Sequence, residues 1–203
     1  MPKALVMGDV IADTLVSYSG EYRFDTDTAA RISQHWGGSG ANFACWLASF
    51  GVETQFIGRI SARDQQSVES DLQNFGVESK CQVDQELETG QIVVLSSPGG
   101  RSFFTDRGAN QALDLAAIQE FPELVYISGY TMFSNPAGFS DLIARAKDAG
   151  AMVVCDPGSA GFLSDVGAPT FLGATKGVDL VTPALGEGVV LTGEKDPGVI
   201  VSM

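Results

Sequence analysis

The sequence contains very little of what several common kinds of active site require. Histidine occurs once, at His35, which excludes a metal site built from several histidines. The three cysteines, Cys45, Cys81 and Cys155, are far apart, odd in number and never in a Cys-x-x-Cys pair. They therefore predict reduced, mostly buried thiols in a cytoplasmic protein and not a disulfide framework.

Positive charge is also scarce. Twelve Lys and Arg stand against 25 Asp and Glu, and the formal net charge is -13. A chain with this charge repels phosphate backbones and anionic lipid headgroups, so nucleic acid and membrane surfaces are poor partners. The N-terminal MPKALVMGDVIAD places acidic residues directly after a short apolar run, which predicts neither a signal peptide nor a membrane span.

Three familiar glycine motifs are missing. No Gly-Lys-Ser/Thr occurs, so there is no Walker A loop, and the first strand is followed only by Gly8-Asp9-Val10 where a dinucleotide fingerprint would stand. Gly37-Gly38-Ser39-Gly40-Ala41 nearly matches a nucleophile elbow. A hydrolase of that kind needs a histidine after the serine, however, and His35 precedes it.

Short apolar runs alternate with helical patterns along the chain. This alternation predicts one α/β domain over residues 1–203, a Rossmann-type αβα sandwich with a parallel sheet covered on both faces. The predicted strands are 4–7, 54–57, 124–127, 152–155 and 179–181, and the predicted helices are 40–50, 68–75 and 137–149. The apolar run 198–201 predicts the start of a further strand.

Two stretches, about 14–36 and 89–105, depart from this rhythm and predict the strands of a small β-sheet lid over one end of the main sheet. Their residues alternate in polarity, and Pro98-Gly99-Gly100 marks a turn. The second stretch has more apolar side chains than a solvent-exposed hairpin needs: Ile92, Val93, Val94, Leu95, Phe103 and Phe104. We therefore expect one lid face to cover a pocket and the other to pack on a partner lid in a homodimer.

The most distinctive segment is Gly37-Gly38-Ser39-Gly40-Ala41-Asn42, which leads straight into an apolar helix. Glycines permit close backbone approach by a ligand, the helix start offers unpaired N–H groups, and the Asn42 amide can donate to and accept from a hydroxyl. A tight turn needed only for packing would give the same pattern.

Polar candidates occur at two further places. Asp9 and Asp13 follow the first strand, where strand gives way to loop, and a carboxylate there can accept from two sugar hydroxyls. Arg107 is one of few cations near the lid. The alternatives are plain turn residues for the two aspartates and a solvated surface side chain for Arg107.

Taken together, these segments resemble the PfkB-type, or ribokinase-like, carbohydrate kinases. The resemblance covers residues 4 to about 194 in family order. The matching segments are GDVIAD at 8–13, GGSGANFACWLASFGVETQFIGRI at 37–60, DRGAN at 106–110, ISGYTMF at 127–133, VVCDPGSAGFL at 153–163 and DLVTPALGEGVVLTGE at 179–194.

The resemblance implies transfer of the ATP γ-phosphate to a hydroxyl of a sugar or nucleoside, with Mg²⁺. It assigns substrate binding to Asp13, Gly37, Gly38, Asn42 and Arg107. It also assigns the nucleotide side to Asp156 and Glu187, with Glu187 serving the metal. Ribose, fructose, ketodeoxygluconate and nucleosides all remain open as substrates.

The sequence departs from the family pattern after Ile60, where Ser61-Ala62-Arg63-Asp64 stands in place of the usual Gly and Asp, and at two places that bear on catalysis. The family's Asn-x-x-Glu appears as Ala184-Leu185-Gly186-Glu187, and no Gly-Ala-Gly-Asp, the source of the catalytic base and anion hole, occurs in the 203 residues. We therefore expect a C-terminally truncated family member with no catalytic residue in this chain, inactive or impaired as a kinase. A non-catalytic sugar-binding or regulatory protein on the same fold, and an unrelated doubly wound binding domain, are the alternatives.

Overall fold

The computed structural model describes residues 3–202 and shows an α/β protein with a parallel central sheet. The strands are β1 (Lys3–Met7), β2 (Ile11–Tyr18), β3 (Ala30–Gly37), β4 (Glu53–Ile57), β5 (Arg59–Ser61), β6 (Val77–Ser79), β7 (Gln82–Asp84), β8 (Gly90–Ser97), β9 (Gly100–Asp106), β10 (Leu124–Ser128), β11 (Met152–Asp156) and β12 (Leu180–Val181). The helices are α1 (Ser39–Ser49), α2 (Gln65–Asn74), α3 (Gly129–Ser134), α4 (Pro136–Asp148), α5 (Ala160–Val166), α6 (Ala168–Ala174), α7 (Leu185–Thr192) and α8 (Pro197–Ser202).

The central sheet has six parallel strands in the order β12-β11-β10-β1-β4-β6. Residues 4–7 of β1 are all buried, as expected of a strand covered on both faces. Leu5 and Met7 pack into a core with α4 and α6 on one face, while Val6 packs with α1 and α2 on the other. The predicted αβα sandwich is therefore confirmed.

A second sheet of four strands, in the order β3-β2-β8-β9, lies beside the first and corresponds to the expected lid. β2 pairs parallel with β8, and each of them pairs antiparallel with an edge strand. Pro98 and Gly99 form the turn between β8 and β9. A third, two-stranded sheet joins β5 and β7 in parallel. Among residues 3–202, no helix is long and apolar enough to cross a membrane.

Two details of the sequence prediction are wrong. Residues 198–201 belong to helix α8, because the Asp196 carboxylate accepts from the N–H groups of Gly198 (2.7 Å) and Val199 (3.2 Å) and Pro197 opens the helix. Asp13 does not lie in a loop. It is in β2, opposite His35 of β3, because the lid strand begins two residues earlier, at Ile11.

Candidate functional site

Asp9, in the loop after β1, is hydrogen-bonded to the start of helix α1. The Asp9 carboxylate accepts from the N–H of Ser39 (3.3 Å) and from the hydroxyl of Ser128 (3.3 Å), and its carbonyl accepts from the N–H of Ala41 (3.2 Å). Burial raises the pKa of Asp9, while these hydrogen bonds and the charge of Arg107 act in the opposite direction. Asp9 therefore holds together β1, β10 and α1, three elements that are distant in sequence.

The glycines before α1 are required by close contacts with this loop. Gly38 has φ +100°, and a Cβ there would lie 2.5 Å from the carbonyl oxygen of Asp9. A Cβ on Gly37 would lie 2.2 Å from Oδ2 of Asp13, so the carboxylate rests directly against this glycine. The bare glycine backbone thus lets the lid strand, the β1 loop and the helix start approach one another.

Asp13 has an unusual environment. Its Oδ1 is buried and has no hydrogen-bond partner among the described residues. Burial is the main reason that the pKa of Asp13 is raised, the Asp9 charge adds to this, and His35 lowers it. A buried carboxylate oxygen without a donor is costly to a protein, so a ligand hydroxyl that donates to it would be bound favourably.

A cavity of about 200 Å³ brings four of the predicted substrate-binding residues together: Asp13, Gly38, Asn42 and Arg107. The fifth, Gly37, does not line this cavity and instead supports Asp13 from behind. Arg107 donates to the carbonyl of Tyr130 (2.5 Å) and to the hydroxyl of Ser134 (2.9 Å). These bonds fix the guanidinium between the lid and α3, so Arg107 is not a freely solvated surface side chain.

The DRGAN segment also has a structural role that sequence reasoning missed. Asn110 is buried, accepts from the N–H of Val10 (3.3 Å) and donates to its carbonyl (2.9 Å). Asp106 accepts from the N–H of Gly108 (3.0 Å), which closes the turn at the end of β9. Val10 and Asn110 are one hundred residues apart in the sequence, so no local pattern predicts these hydrogen bonds. The only sequence signal for them is the DRGAN segment itself.

The cavity is also lined by Ile92, Thr105, Tyr130 and Gly158. Ile92 and Thr105 are cross-strand neighbours on β8 and β9, on the same lid face as Asp13. All four also line a larger cleft of about 860 Å³, which makes the two spaces contiguous. The cleft extends past α5 to Ala184 and Glu187, at the start of α7.

We call Asp13, Gly38, Asn42 and Arg107 the α1 corner, and Asp156, Ala184 and Glu187 the α7 corner. In the α7 corner, Glu187 accepts from the N–H of Ala184 (2.7 Å), and burial, with the Asp156 charge as a smaller contribution, raises its pKa. Asp156 accepts from the N–H of Gly158 (2.8 Å) and does not line either space. Burial raises the pKa of Asp156 too.

A parallel αβα sandwich with a small sheet over a polar cavity, at the carboxyl ends of the strands, is an arrangement in which α/β proteins commonly bind small molecules. A sequence model of the pfkB family carbohydrate kinases matches residues 1–202. The chain therefore belongs to the pfkB family of carbohydrate kinases. A search of curated proteins finds no match.

Solved structures of such kinases share the fold. A carbohydrate kinase from Agrobacterium tumefaciens is 16% identical, with a TM-score of 0.75 over 100% of this chain and 67% of that one. An adenosine kinase from Sinorhizobium meliloti is 17% identical, with a TM-score of 0.78 over 98% and 70%. A structure described as ribokinase II from E. coli, in complex with ATP and Mg²⁺, is 20% identical, with a TM-score of 0.78 over 100% and 68%. The chain thus spans about two thirds of the length of these relatives.

Proposed function

We propose that the α1 corner binds a sugar or nucleoside through its hydroxyl groups, in a protein of the ATP-dependent carbohydrate kinase lineage. The supporting observation is the buried Oδ1 of Asp13, without a partner among the described residues, in a cavity shared with Asn42 and Arg107. A sugar supplies hydroxyl donors to the carboxylate and acceptors to the amide and guanidinium. Each charge-assisted hydrogen bond contributes about 1.5–3 kcal/mol.

The α7 corner is where this proposal places the nucleotide side. Among residues 3–202, no group of three or more carboxylates, histidines and cysteines is arranged to hold a metal ion. Mg²⁺ bound with phosphates commonly uses only one or two carboxylates together with phosphate oxygens and water, a role that Glu187 fits. Bound there, Mg²⁺ would neutralise charge on the transferred phosphoryl group. Asp156 adds negative potential nearby without lining the cleft.

We further propose that these 203 residues do not phosphorylate a sugar at a useful rate. They contain no Gly-Ala-Gly-Asp to supply a base and an anion hole. Absence of the base alone costs about 10²–10⁴ in rate, and absence of a preorganised donor set costs about a further 10²–10³. Glu187 does not replace the base, because this proposal assigns it to the metal and it does not line the cavity that would hold the sugar hydroxyls.

Calorimetry and a coupled ADP assay on the 203-residue chain test both parts. A panel of ribose, fructose, ketodeoxygluconate and adenosine is titrated, and the same compounds are then supplied with ATP and Mg²⁺. We expect heat from at least one compound and no ADP above background. Absence of binding by every compound would refute the substrate site, whereas robust sugar-dependent ADP release at confirmed intact mass would refute the proposed inactivity.

A non-catalytic sugar-binding protein on this fold is the second candidate, and Ala184 is the observation that favours it. The family motif has an asparagine amide at this position, and alanine offers only its backbone N–H, which Glu187 already uses. The two candidates differ in nucleotide binding. Calorimetry with Mg²⁺ and a nonhydrolysable ATP analogue should show binding for an impaired kinase and none for a protein that only binds sugar.

We also propose a homodimer formed through the lid. Phe103 and Phe104 are 58% and 62% exposed, although as consecutive strand residues they point to opposite faces. Phe103 lines the cleft, whereas Phe104 is paired with Val93 on the other face. Light scattering at micromolar concentration should give twice the monomer mass, and Phe104→Ser should lower it; a monomeric wild type would refute the dimer.

A further inference from the structure

A second space lies outside the candidate sugar site, in an open groove between α1, α2 and strand β3. Its volume is about 320 Å³, which is within the range of about 300–1,000 Å³ of small-molecule sites. Its walls carry Trp36 from β3, Trp46 from α1 and Phe75 from the end of α2. Trp46 is 69% exposed and Phe75 56%, so large aromatic faces are presented to solvent from separate elements.

The groove has a single charged residue, the half-buried Asp71 of α2. Neither α1 nor α2 contains a Lys or Arg, and none of the ion pairs found within residues 3–202 includes Asp71. The Asp71 charge acts on the neighbouring Cys45, whose pKa is raised by burial first and by this carboxylate second. A negative charge without an ion-pair partner among the described residues thus faces a space whose other lining residues are neutral and mostly apolar.

Aromatic faces attract cations through the ring quadrupole, and a nearby carboxylate adds direct charge attraction. We infer that this groove binds a small organic cation, with its ammonium group among Trp36, Trp46 and Phe75 and beside Asp71. A metal ion does not suit the groove, because hard cations need several oxygen ligands and Asp71 is its only carboxylate. An anionic ligand would be repelled by Asp71 and would find no cation among the groove residues.

This site is separate from the candidate sugar cavity and does not rest on the proposed function. The two spaces share only Asn42, which stands between them in the first turns of α1. Gly37, which lines the groove, packs on its other side against Asp13. The organic cation would therefore bind behind the wall of the sugar cavity without occupying it.

Intrinsic fluorescence reports on this groove directly, because Trp36 and Trp46 are the only tryptophans of the chain. The protein is titrated with choline and with the neutral alcohol in which a tert-butyl group replaces the trimethylammonium. We expect choline to change the emission saturably and to bind about tenfold or more tightly than the neutral alcohol. Equal binding of both compounds, or no saturable change with choline, would overturn the inference.

Asp71→Asn tests the carboxylate and should remove most of the preference for choline. The matched control is Asp148→Asn, an exposed carboxylate on α4, which should leave the preference unchanged. Phe75→Leu, read by calorimetry, should weaken choline binding about fivefold or more and serves as a second variant should Asp71→Asn fail to fold. Choline binding unchanged in both folded groove variants would also refute the site.

Discussion

The two corners of the candidate site are built differently, although both lie at the carboxyl ends of parallel strands. In the α1 corner, Gly38 and the Asp9 loop are in direct contact, and Asn110, in the turn after β9, hydrogen-bonds to the same loop at Val10. In the α7 corner, the carboxylate of Glu187 is held by one backbone N–H from its own helix start. The α1 corner is thus a preformed cavity, while the α7 corner is one side of an open cleft.

This difference supports our proposal that the chain binds a sugar without completing the phosphoryl transfer. A ligand in the α1 corner meets groups fixed by contacts between distant segments, so little reorganisation opposes binding. A ligand at the α7 corner meets the carboxylate of Glu187, whose pKa is raised by burial first and by the charge of Asp156 second. The following variants test the comparison in order of decreasing expected effect.

Of the variants considered, Gly38→Ala should destabilise the α1 corner most. The new Cβ would lie 2.5 Å from the Asp9 carbonyl, and the residue would also keep a positive φ. Gly51→Ala is the matched control, since Gly51 has φ +83° but nothing within 4 Å of where a Cβ would stand. Urea unfolding should show that Gly38→Ala costs about 1–3 kcal/mol more than Gly51→Ala; equal costs would mean that the contact relaxes freely.

Asp13→Asn should reduce sugar affinity about 10- to 100-fold, because it removes the charge from hydrogen bonds worth about 1.5–3 kcal/mol each. Glu187→Gln, in the other corner, should leave sugar affinity within about twofold. Calorimetry with the sugar that binds the wild type measures both. Equal losses of sugar affinity in the two variants would show that the sugar is not bound by the α1 corner alone.

Ala184→Asn should stabilise the α7 corner by about 1 kcal/mol, because residue 184 is the N-cap of α7 in extended conformation and an asparagine side chain can accept a helix N–H there. Asn135 already does this for α4, accepting from the N–H of Gly138 at 2.9 Å. Asn135→Ala should therefore lose about as much as Ala184→Asn gains. Thermal or urea unfolding measures the stability of both variants, and a destabilised Ala184→Asn would contradict the proposed N-cap hydrogen bond.

Glu187→Gln should have the smallest effect, visible as a pH dependence. Because the pKa of Glu187 is raised in the folded state, this side chain favours folding most at low pH. Its contribution is lost as pH rises from the ordinary value of 4.5 through the folded pKa. The glutamine of the variant does not titrate, so the variant should gain stability relative to wild type as pH rises from about 4 to about 8.

Asp84 should give a pH dependence of stability opposite in sign to that of Glu187. Its pKa is lowered by the N–H groups of Leu87 and Glu86 and by Arg59. Its stabilisation is present above the unfolded pKa and is lost as pH falls through the folded one. Asp84→Asn should therefore lose stability relative to wild type as pH rises from about 2 to about 5 and show little further change above that. The same slope in both variants would refute the assignment of the two carboxylates.

Much of the fold could be predicted from the sequence, because apolar periodicity and the glycines that end helices and strands are local signals. Residues 4–7 and 152–155 are continuous apolar runs, and both are strands of the central sheet. The helix after Gly38 and the turn at Pro98 were placed correctly for the same reason. Residues 198–201 were misread as a strand because their apolar character outweighed the capping signal of Asp196 and Pro197 just before them.

The sequence by itself determined the family, the αβα class and which four residues form the α1 corner, since motif residues and their order carry that information. Only the tertiary structure decided that Asp13 lies on a lid strand and that its Oδ1 has no hydrogen-bond partner among the described residues. The same is true of the hydrogen bonds between Asn110 and the backbone of Val10. The tertiary structure also decided that Trp36, Trp46 and Asp71 share one groove. Such pairings depend on strand register and helix packing between segments far apart in the chain, which no local pattern specifies.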